Sequence, residues 1–375
     1  MNHRNQIGKF LPLYVLAISI IVYILAIYAP LFTSTVYSRG FYRLVSQSVS
    51  CIVSFFPFSL AELIILLLPL CICYFLIKGA YLLLFRRARA RSFWRRFGIT
   101  MLKSSCYVLS AFILFAGVNY RRVPLADRMG LEVASASEEE LMQLCRYLMD
   151  ETNELAMQTT RTKEGKFVPA HSFAEAKKRI AAAYDSLSMQ YPDFKGYYPS
   201  SKPLLFSHYV SYAHIMGFFF PFTFESNINK DIPEFMVPAV MAHEQAHLRG
   251  LMREEEAEFS VYLLSRHTLD IDLKYSCNLS IFIRAITALY KVNKEGYASL
   301  PEAFSAPLQR DLHDYSAYWN AFRSPVGEIS KTINDAYLKA NSQSDGVQSY
   351  GRVVDLLIAA HKHLQTIKNQ DDENN

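Results

Sequence analysis

Five residues near the middle of the chain combine the side-chain types and the spacing that metal-assisted hydrolysis requires. His243 and His247 are four positions apart, and Glu244 directly follows the first histidine. On an α-helix, residues at this spacing lie one turn apart on the same face, so both imidazoles can reach one Zn²⁺. Glu244 can act as general base on a zinc-activated water and pass the proton to a leaving amine. The motif therefore predicts hydrolysis of peptide bonds.

The flanking sequence predicts that this motif lies on a buried helix. Pro238 is suited to the first turn of a helix, and the run 239–242 before the motif is apolar. Gly250 is suited to end the helix, because glycine readily adopts the left-handed conformation that follows a helix end. The alternative, a solvated helix with two surface histidines, fits the apolar neighbours poorly.

An acidic run after the motif offers a third metal ligand. Glu254 and Glu258 share one face of a following helix, and that face continues with apolar residues. We therefore expect Glu254 to be the ligand and Glu258 to orient a histidine ring or an arginine. Glu255 is the main alternative ligand, and Glu258 also stays open. The run would also suit an ordinary acidic helix start, stabilised by the helix dipole.

The first third of the chain predicts a membrane domain over residues 1–118. Three apolar stretches, at about 11–32, 60–84 and 97–118, are long enough to cross a bilayer as helices. The intervening segment 41–58 is apolar but broken by Arg43, serines and a proline, which favours an interfacial or re-entrant segment. A fourth span there is the alternative, and it would invert everything downstream.

The basic residues predict the orientation of these spans. Lys9 precedes the first span, and an arginine cluster at 86–96 separates the second from the third. Both are expected on the cytoplasmic side of a plasma membrane. Three crossings would then place residues from Asn119 onward outside the cytoplasm. Because the arginine cluster lies between apolar spans, it indicates a lipid bilayer as partner and not nucleic acid.

The remainder of the chain predicts a mainly helical domain, of α+β type, over residues 119–368. Its one strand-like stretch is the aromatic segment 217–225, which Pro221 restricts to an edge or irregular strand beside the motif helix. The polar tail 369–375 is expected to be disordered. A disulfide between Cys145 and Cys277 is open if the domain is extracytoplasmic.

The two motifs together resemble the gluzincin metallopeptidases. In that class, H-E-x-x-H is followed by E-x-x-A-[D/E/N], and the first glutamate of the second motif is the third zinc ligand. Matched onto this chain, the resemblance implies His243, His247 and Glu254 as ligands and Glu244 as base. Glu258 stands where many relatives have Asp or Asn. A metzincin would instead need a histidine at the position of Arg253.

Nearly the whole chain is similar to a bacterial membrane-protein family catalogued as domain of unknown function 3810. The segments that carry this similarity are 117–122, 217–223, 334–341 and 349–352. The resemblance to zincins implies a zincin-like domain in which an extended peptide pairs with an edge strand beside the motif helix, and 217–224 is the candidate, with an aromatic core strand as the alternative. Tyr337, Tyr350 and Arg352 are candidates for stabilising the oxyanion, with a structural role as the alternative for each.

We therefore expect a membrane-anchored zinc metallopeptidase that acts on a peptide or protein substrate. The alternative is a non-catalytic zinc-binding scaffold or regulatory protein of the membrane. Structural zinc sites are usually closed by four protein ligands, whereas three ligands and an adjacent base leave a position for water. Intramembrane proteolysis is disfavoured by the polar sequence after Gly250 and by the distance of the motif from the third span.

Overall fold

The computed structural model describes residues 3–199, 201–341 and 350–373. The helices of its N-terminal third are α1 (His3–Tyr28), α2 (Pro30–Phe32), α3 (Arg43–Val53), α4 (Leu60–Phe85) and α5 (Arg87–Phe115). A π-helical segment, Thr33–Tyr42, joins α2 to α3, and a 3₁₀ turn, Gly117–Arg121, follows α5.

Within the described residues, three helices are long and apolar enough to span a membrane. They cover Phe10–Tyr28, Leu60–Phe85 and Arg87–Arg121, which confirms the three apolar helices expected from the sequence. The third begins ten residues earlier than the expected span at about 97, counting from Arg87. The arginine-rich stretch continues the helix instead of forming a loop, because arginine is a strong helix former.

Helices α4 and α5 form an antiparallel hairpin that turns at Arg86. Gly79 lies directly against the indole of Trp94, and the rings of Phe75 and Phe97 are 5.9 Å apart. Helix α1 packs along α5, with the guanidinium of Arg121 over the ring of Tyr23 at 4.8 Å. The C-terminal ends of α1 and α5 and the N-terminal end of α4 therefore lie on the same side.

The rest of the chain is mainly helical with one small sheet, as expected. Its helices are α6 (Leu125–Met129), α7 (Glu138–Gln158), α8 (Phe173–Gln190), α9 (Ser207–Ser211), α10 (Val237–Leu248), α11 (Glu254–His267), α12 (Ile271–Val292), α13 (Lys294–Ser299), α14 (Ala306–Ala321), α15 (Pro325–Ala340) and α16 (Tyr350–Glu373). Its strands are β1 (Ser201–Pro203), β2 (Gly217–Phe220) and β3 (Glu225–Ile228).

The sheet has the order β1-β3-β2, with β1 parallel and β2 antiparallel to β3. This order leaves β2 on an edge, where the sequence predicts an edge strand. Helix α10 packs on the sheet, and α11 and α12 pack on α10 to form the core. Capping boxes start two of the outer helices, with Ser137 at α7 and Ser172 at α8.

The segment between α2 and α4 packs against the C-terminal part of the chain. The hydroxyl of Tyr42 donates to the carbonyl of His247 at 3.2 Å, and the hydroxyls of Ser46 and Tyr198 are 3.1 Å apart. Lys202 Nζ donates to the carbonyl of Val53 at 2.9 Å. A division of the chain at residue 118 would therefore separate residues that share one core.

Two other expectations concern the cysteines and the tail. Cys145 and Cys277 are both buried free thiols, so the structure contains no bridge between them. Burial raises the pKa of Cys145 to about 12. Helix α16 extends to Glu373, where a disordered tail from residue 369 was expected. No glycine or proline interrupts the chain there, and residues 374–375 lie outside the described residues.

Candidate metal centre

A tight turn between α10 and α11 places the acidic run over the histidine motif. Helix α10 ends at Leu248, and Gly250 adopts a left-handed φ of +84°. A Cβ at this position would lie 3.1 Å from Asn119 Oδ1 and from Tyr42 Cε1, so the backbone packs closely here. Glycine is therefore needed for both conformation and space. Helix α11 then begins at Glu254.

Three side chains converge across this turn. His243 Nε2 and His247 Nε2 are 3.2 Å apart. Glu254 Oε2 lies 3.3 Å from His243 Nε2, and Glu254 Oε1 lies 3.6 Å from His247 Nε2. Ligand atoms at ~2.05 Å from one tetrahedral ion are separated from each other by about 3.3 Å. The donor set, two imidazoles and one carboxylate, thus fits a zinc ion in both chemistry and spacing.

The far side of each imidazole has its own partner. His247 Nδ1 is 2.7 Å from the carbonyl of Leu251, so Nδ1 is the protonated nitrogen and Nε2 keeps its lone pair. His243 Nδ1 is 3.6 Å from Glu258 Oε1, and Glu258 forms an ion pair with Arg284. Glu258 therefore lies between a histidine ring and an arginine.

The other two glutamates of the run face away from the histidines. Glu255 Oε1 lies 3.6 Å from Arg352 Nη2. Glu256 Oε1 accepts from Arg253 Nη1 at 2.9 Å. Among the described residues, the group of acidic and imidazole side chains that could share one ion is His243, His247 and Glu254.

The charges of the site are strongly coupled. Burial lowers the pKa of His243, but the carboxylates of Glu258, Glu254 and Glu244 outweigh burial and raise it to about 9. Burial lowers the pKa of His247 to about 4. Burial raises the pKa of Glu254, but its hydrogen bond to His243 and the nearby His247 lower it to about 2. The cluster therefore attracts positive charge, which a divalent cation would supply.

Glu244 lies beside the cluster without joining it. Its side chain is buried, and burial raises its pKa to about 8. The backbone N–H of Phe219 donates to its carboxylate. Its Oε2 atom is buried with no hydrogen-bond partner in the described part of the chain. An acceptor held in this way is available to a water or substrate group at the site.

These residues form the floor of a cleft of about 760 Å³. One wall is the edge strand β2, and the opposite wall is α15. Tyr337 of α15 lines the cleft, and its hydroxyl lies 3.3 Å from that of Tyr120. Arg352 is placed at Glu255 and not in the cleft lining, and the side chain of Tyr350 lies outside the described residues.

The edge strand β2 comes close to α10 because it starts with glycine. A Cβ at Gly217 would lie 2.8 Å from Val240 Cγ1 and 3.0 Å from Glu244 Cγ. The ring of Phe219 stacks on that of His247, with centroids 6.2 Å apart. Strand β2 therefore runs directly beside Glu244 and His247.

Sequence reasoning did not identify two of the cleft residues, Tyr120 and Arg284. Tyr120 follows α5, and Arg284 lies on α12, so each is distant in sequence from the motif. The expectation that Glu258 orients an arginine was the one available signal, and it did not indicate which arginine. A search of the later helices for a cationic residue on a buried face could have found Arg284.

Comparison with known proteins identifies the family. The model of the family described as "Protein of unknown function (DUF3810)" matches residues 37–358. The match covers most of the chain, so the protein belongs to this family. It includes most of the segment between α2 and α4, two of the apolar helices and the complete cluster around His243. No curated protein and no solved structure matches the chain.

Proposed function

We propose that this protein is a membrane-anchored, gluzincin-like zinc metallopeptidase. The observation that carries the proposal is the convergence of His243, His247 and Glu254 on the floor of an open cleft. Three ligands of this kind are typical of catalytic zinc sites, which keep one position open. When bound, Zn²⁺ supplies Lewis-acid chemistry, since it lowers the pKa of a coordinated water and polarises the carbonyl under attack.

The residues of the chain then have separate roles in hydrolysis. Glu244 accepts the proton of the attacking water and donates it to the leaving amine. Its position one residue after His243 keeps its carboxylate near the ligands while leaving it outside the donor set. Glu258, paired with Arg284, lies 3.6 Å from His243 Nδ1 and holds that ring by its charge. Tyr337 and Tyr120 offer hydroxyl donors to the developing oxyanion.

The position of the sheet supports a zincin-like arrangement. Strand β2 is an edge strand of the described sheet, lines the cleft and lies against α10. An extended peptide can add to such an edge through main-chain hydrogen bonds, with side-chain pockets on alternate residues. We propose that the substrate binds in this way, with its scissile bond over the histidines.

The arrangement of the apolar helices supports an extracytoplasmic active site. The N-terminus of α1 and the arginine cluster at the turn of α4 and α5 lie at the same end of the helices. The metal centre lies at the opposite end. Since basic flanks favour the cytoplasmic side, we propose that three helices cross the plasma membrane and that the cleft faces outward.

The proposal is tested on the full chain purified in detergent or nanodiscs. We expect about one zinc per chain and cleavage of a mixed peptide library, read by mass spectrometry. Removal of the metal by a chelator should abolish cleavage, and added zinc should restore it. His247→Ala should lose both zinc and cleavage. Bound zinc without cleavage of any peptide would favour a non-catalytic scaffold, and absence of zinc would contradict the proposal.

A further inference from the structure

The cleft has a definite direction relative to the apolar helices. The turn between β2 and β3 and the first residue of β3 contact the ends of two of them. The carboxylate of Glu225 accepts from the backbone N–H groups of Leu60 at 3.0 Å and Ala61 at 2.8 Å, at the start of α4. The ring of Phe224 is 5.1 Å from that of Phe115, at the end of α5. Strand β2 therefore runs from the metal centre toward the membrane end of these helices.

The opposite wall of the cleft has the same direction. Near the start of α15, a Cβ at Gly327 would lie 3.0 Å from the ring of His214, just before β2 begins. Near the end of α15, the ring of Tyr337 is 6.1 Å from that of Phe112 in α5. Both walls thus end at the membrane helices, and the cleft runs between them toward the bilayer.

The metal centre is one packing layer from these helix ends. Leu248, next to His247, belongs to a buried cluster that includes Ala116, the residue after α5, as well as Tyr42 and Phe224. One layer of packed side chains corresponds to about 10 Å, and the headgroup region adds roughly 5–8 Å. At ~3.3 Å per residue, an extended chain covers this distance in about four to six residues.

Hydrogen bonds also fix the position of the cleft relative to the start of α4. The carboxylate of Glu62, in the first turn of α4, accepts from the backbone N–H groups of Leu205 and Phe206 at 2.9 Å each. Ser59 donates to Asn227 of β3 at 2.6 Å. These bonds join the start of α4 to the sheet at several points, so the cleft and the helix ends form one packed unit.

We infer that the substrate is a polypeptide that is itself inserted in the same membrane. Its extended segment enters the cleft from the bilayer end, pairs with β2 and is cut about four to six residues outside its membrane span. This inference rests on the proposed peptidase function for the cutting step. The route of access depends only on the positions of β2, α15 and the helix ends.

Photo-crosslinking tests the access route without requiring turnover. The full-length Glu244→Gln variant in liposomes is mixed with synthetic peptides that carry a transmembrane helix and a randomised outer segment. A photo-reactive residue is placed either four or twenty residues from the helix, and matched peptides lack the helix. A further control has proline at alternate outer positions, which removes the N–H groups needed for strand pairing.

We expect the anchored peptide with the probe at position four to crosslink to β2 or α15 about tenfold more than each of three controls. These controls are the peptide with the probe at position twenty, the peptide without the helix and the proline-containing peptide. Equal capture with the probe at position twenty would overturn the inference, as would equal capture of the soluble peptide or no capture of anchored peptide. Cleavage of the same peptides by the wild-type chain is scored separately. Selective capture without cleavage would contradict the peptidase function while supporting the access route.

Discussion

At the scale of single residues, the metal centre depends on the directions of neighbouring glutamates. Glu254 reaches both histidines, whereas Glu255, the next residue, lies beside Arg352. The two side chains differ by about 100° around the helix axis, since an α-helix has 3.6 residues per turn. The pair therefore provides a matched comparison for the third ligand.

We predict that Glu254→Gln lowers zinc affinity about 100-fold or more, whereas Glu255→Gln changes it little. Loss of an outer-shell partner alone typically costs 10–100-fold, and loss of a ligand should cost at least as much. Competition with a fluorescent zinc chelator measures both variants. A larger loss of zinc affinity for Glu255→Gln than for Glu254→Gln would contradict Glu254 as the third ligand and would favour Glu255.

Sequence reasoning works at this scale where the signal is local. The positions of His243, Glu244 and His247 on one helix, and the turn at Gly250, follow from spacing and backbone preference. Glu254 was favoured because it shares a helix face with Glu258 and apolar residues. The cleft residues Tyr120 and Arg284 come from segments far away in sequence, and contacts between distant segments leave no periodic pattern.

At the scale of elements, Gly217 sets the distance between the edge strand and the metal helix. We predict that Gly217→Ala reduces peptide cleavage strongly while zinc affinity stays nearly unchanged. The new Cβ would meet Val240 and Glu244 at 3.0 Å or less, so the strand or the base must shift. The three atoms nearest to this methyl group belong to Val240, Asn227 and Glu244, and not to His243, His247 or Glu254.

Gly98→Ala is the control for this change, because a Cβ at Gly98 has nothing within 4 Å. It should leave both cleavage and zinc affinity as in the wild type. Parallel assays of cleavage rate and zinc affinity separate the two effects. Unchanged cleavage by Gly217→Ala would show that the close approach of β2 is not needed for catalysis.

Another element-scale device is the buried ion cluster around Asp193. Its carboxylate binds Arg39 at 2.7 Å and Arg122 at 2.7 Å, and it also pairs with Arg128. Burial raises the pKa of Asp193, but the hydrogen bond from Arg39 and the charges of the other arginines lower it from 3.8 to about 2. The cluster joins the π-helical segment, the chain after α5 and the loop after α8.

We predict that this cluster stabilises the fold above pH ~4 and that the contribution is lost as the pH falls from about 4 to 2. A carboxylate with a lowered folded-state pKa gives stability that disappears on protonation, here on the order of 2 kcal/mol. Melting temperatures of the full chain between these pH values provide the measurement. Asp193→Asn should be less stable at neutral pH and should lose less on acidification.

The exposed Asp127 provides the control for the acid titration. Asp127→Asn should leave the neutral stability and its pH dependence close to those of the wild type, because its side chain lies at the surface. If Asp193→Asn and Asp127→Asn lose stability in parallel on acidification, the cluster does not contribute as described.

At the scale of the whole molecule, the segment 33–58 joins the three long apolar helices to the domain that contains the candidate metal centre. Its buried Tyr42 packs with Phe224 and Leu248, directly behind the motif helix. We predict that a fragment of residues 119–375 aggregates, because it exposes this apolar surface. A fragment of residues 33–375 in detergent should stay monodisperse and bind zinc, with size-exclusion profiles as the measurement. A monodisperse, zinc-loaded 119–375 fragment would contradict this view.

The three long apolar helices could be predicted, because an apolar run of this length is typical of a helix that can span a bilayer. The packing of segment 33–58 could not. Its buried side chains include Ser38, Ser46 and Ser50, small polar residues that resemble the polar face of an interfacial helix. In the structure they face partners from later in the chain, such as Asn119 for Ser38 at 2.7 Å. Only the folded chain brings those partners together.

The central claim is that Glu244 is the base of a zinc peptidase, and one variant tests it most directly. Wild type and Glu244→Gln, purified as full chains, are compared for zinc content and for cleavage of the same peptide library. We predict equal zinc in both and a loss of cleavage of about 10²–10⁴-fold in the variant. Cleavage by Glu244→Gln at the wild-type rate, or absence of zinc from both proteins, would contradict the claim.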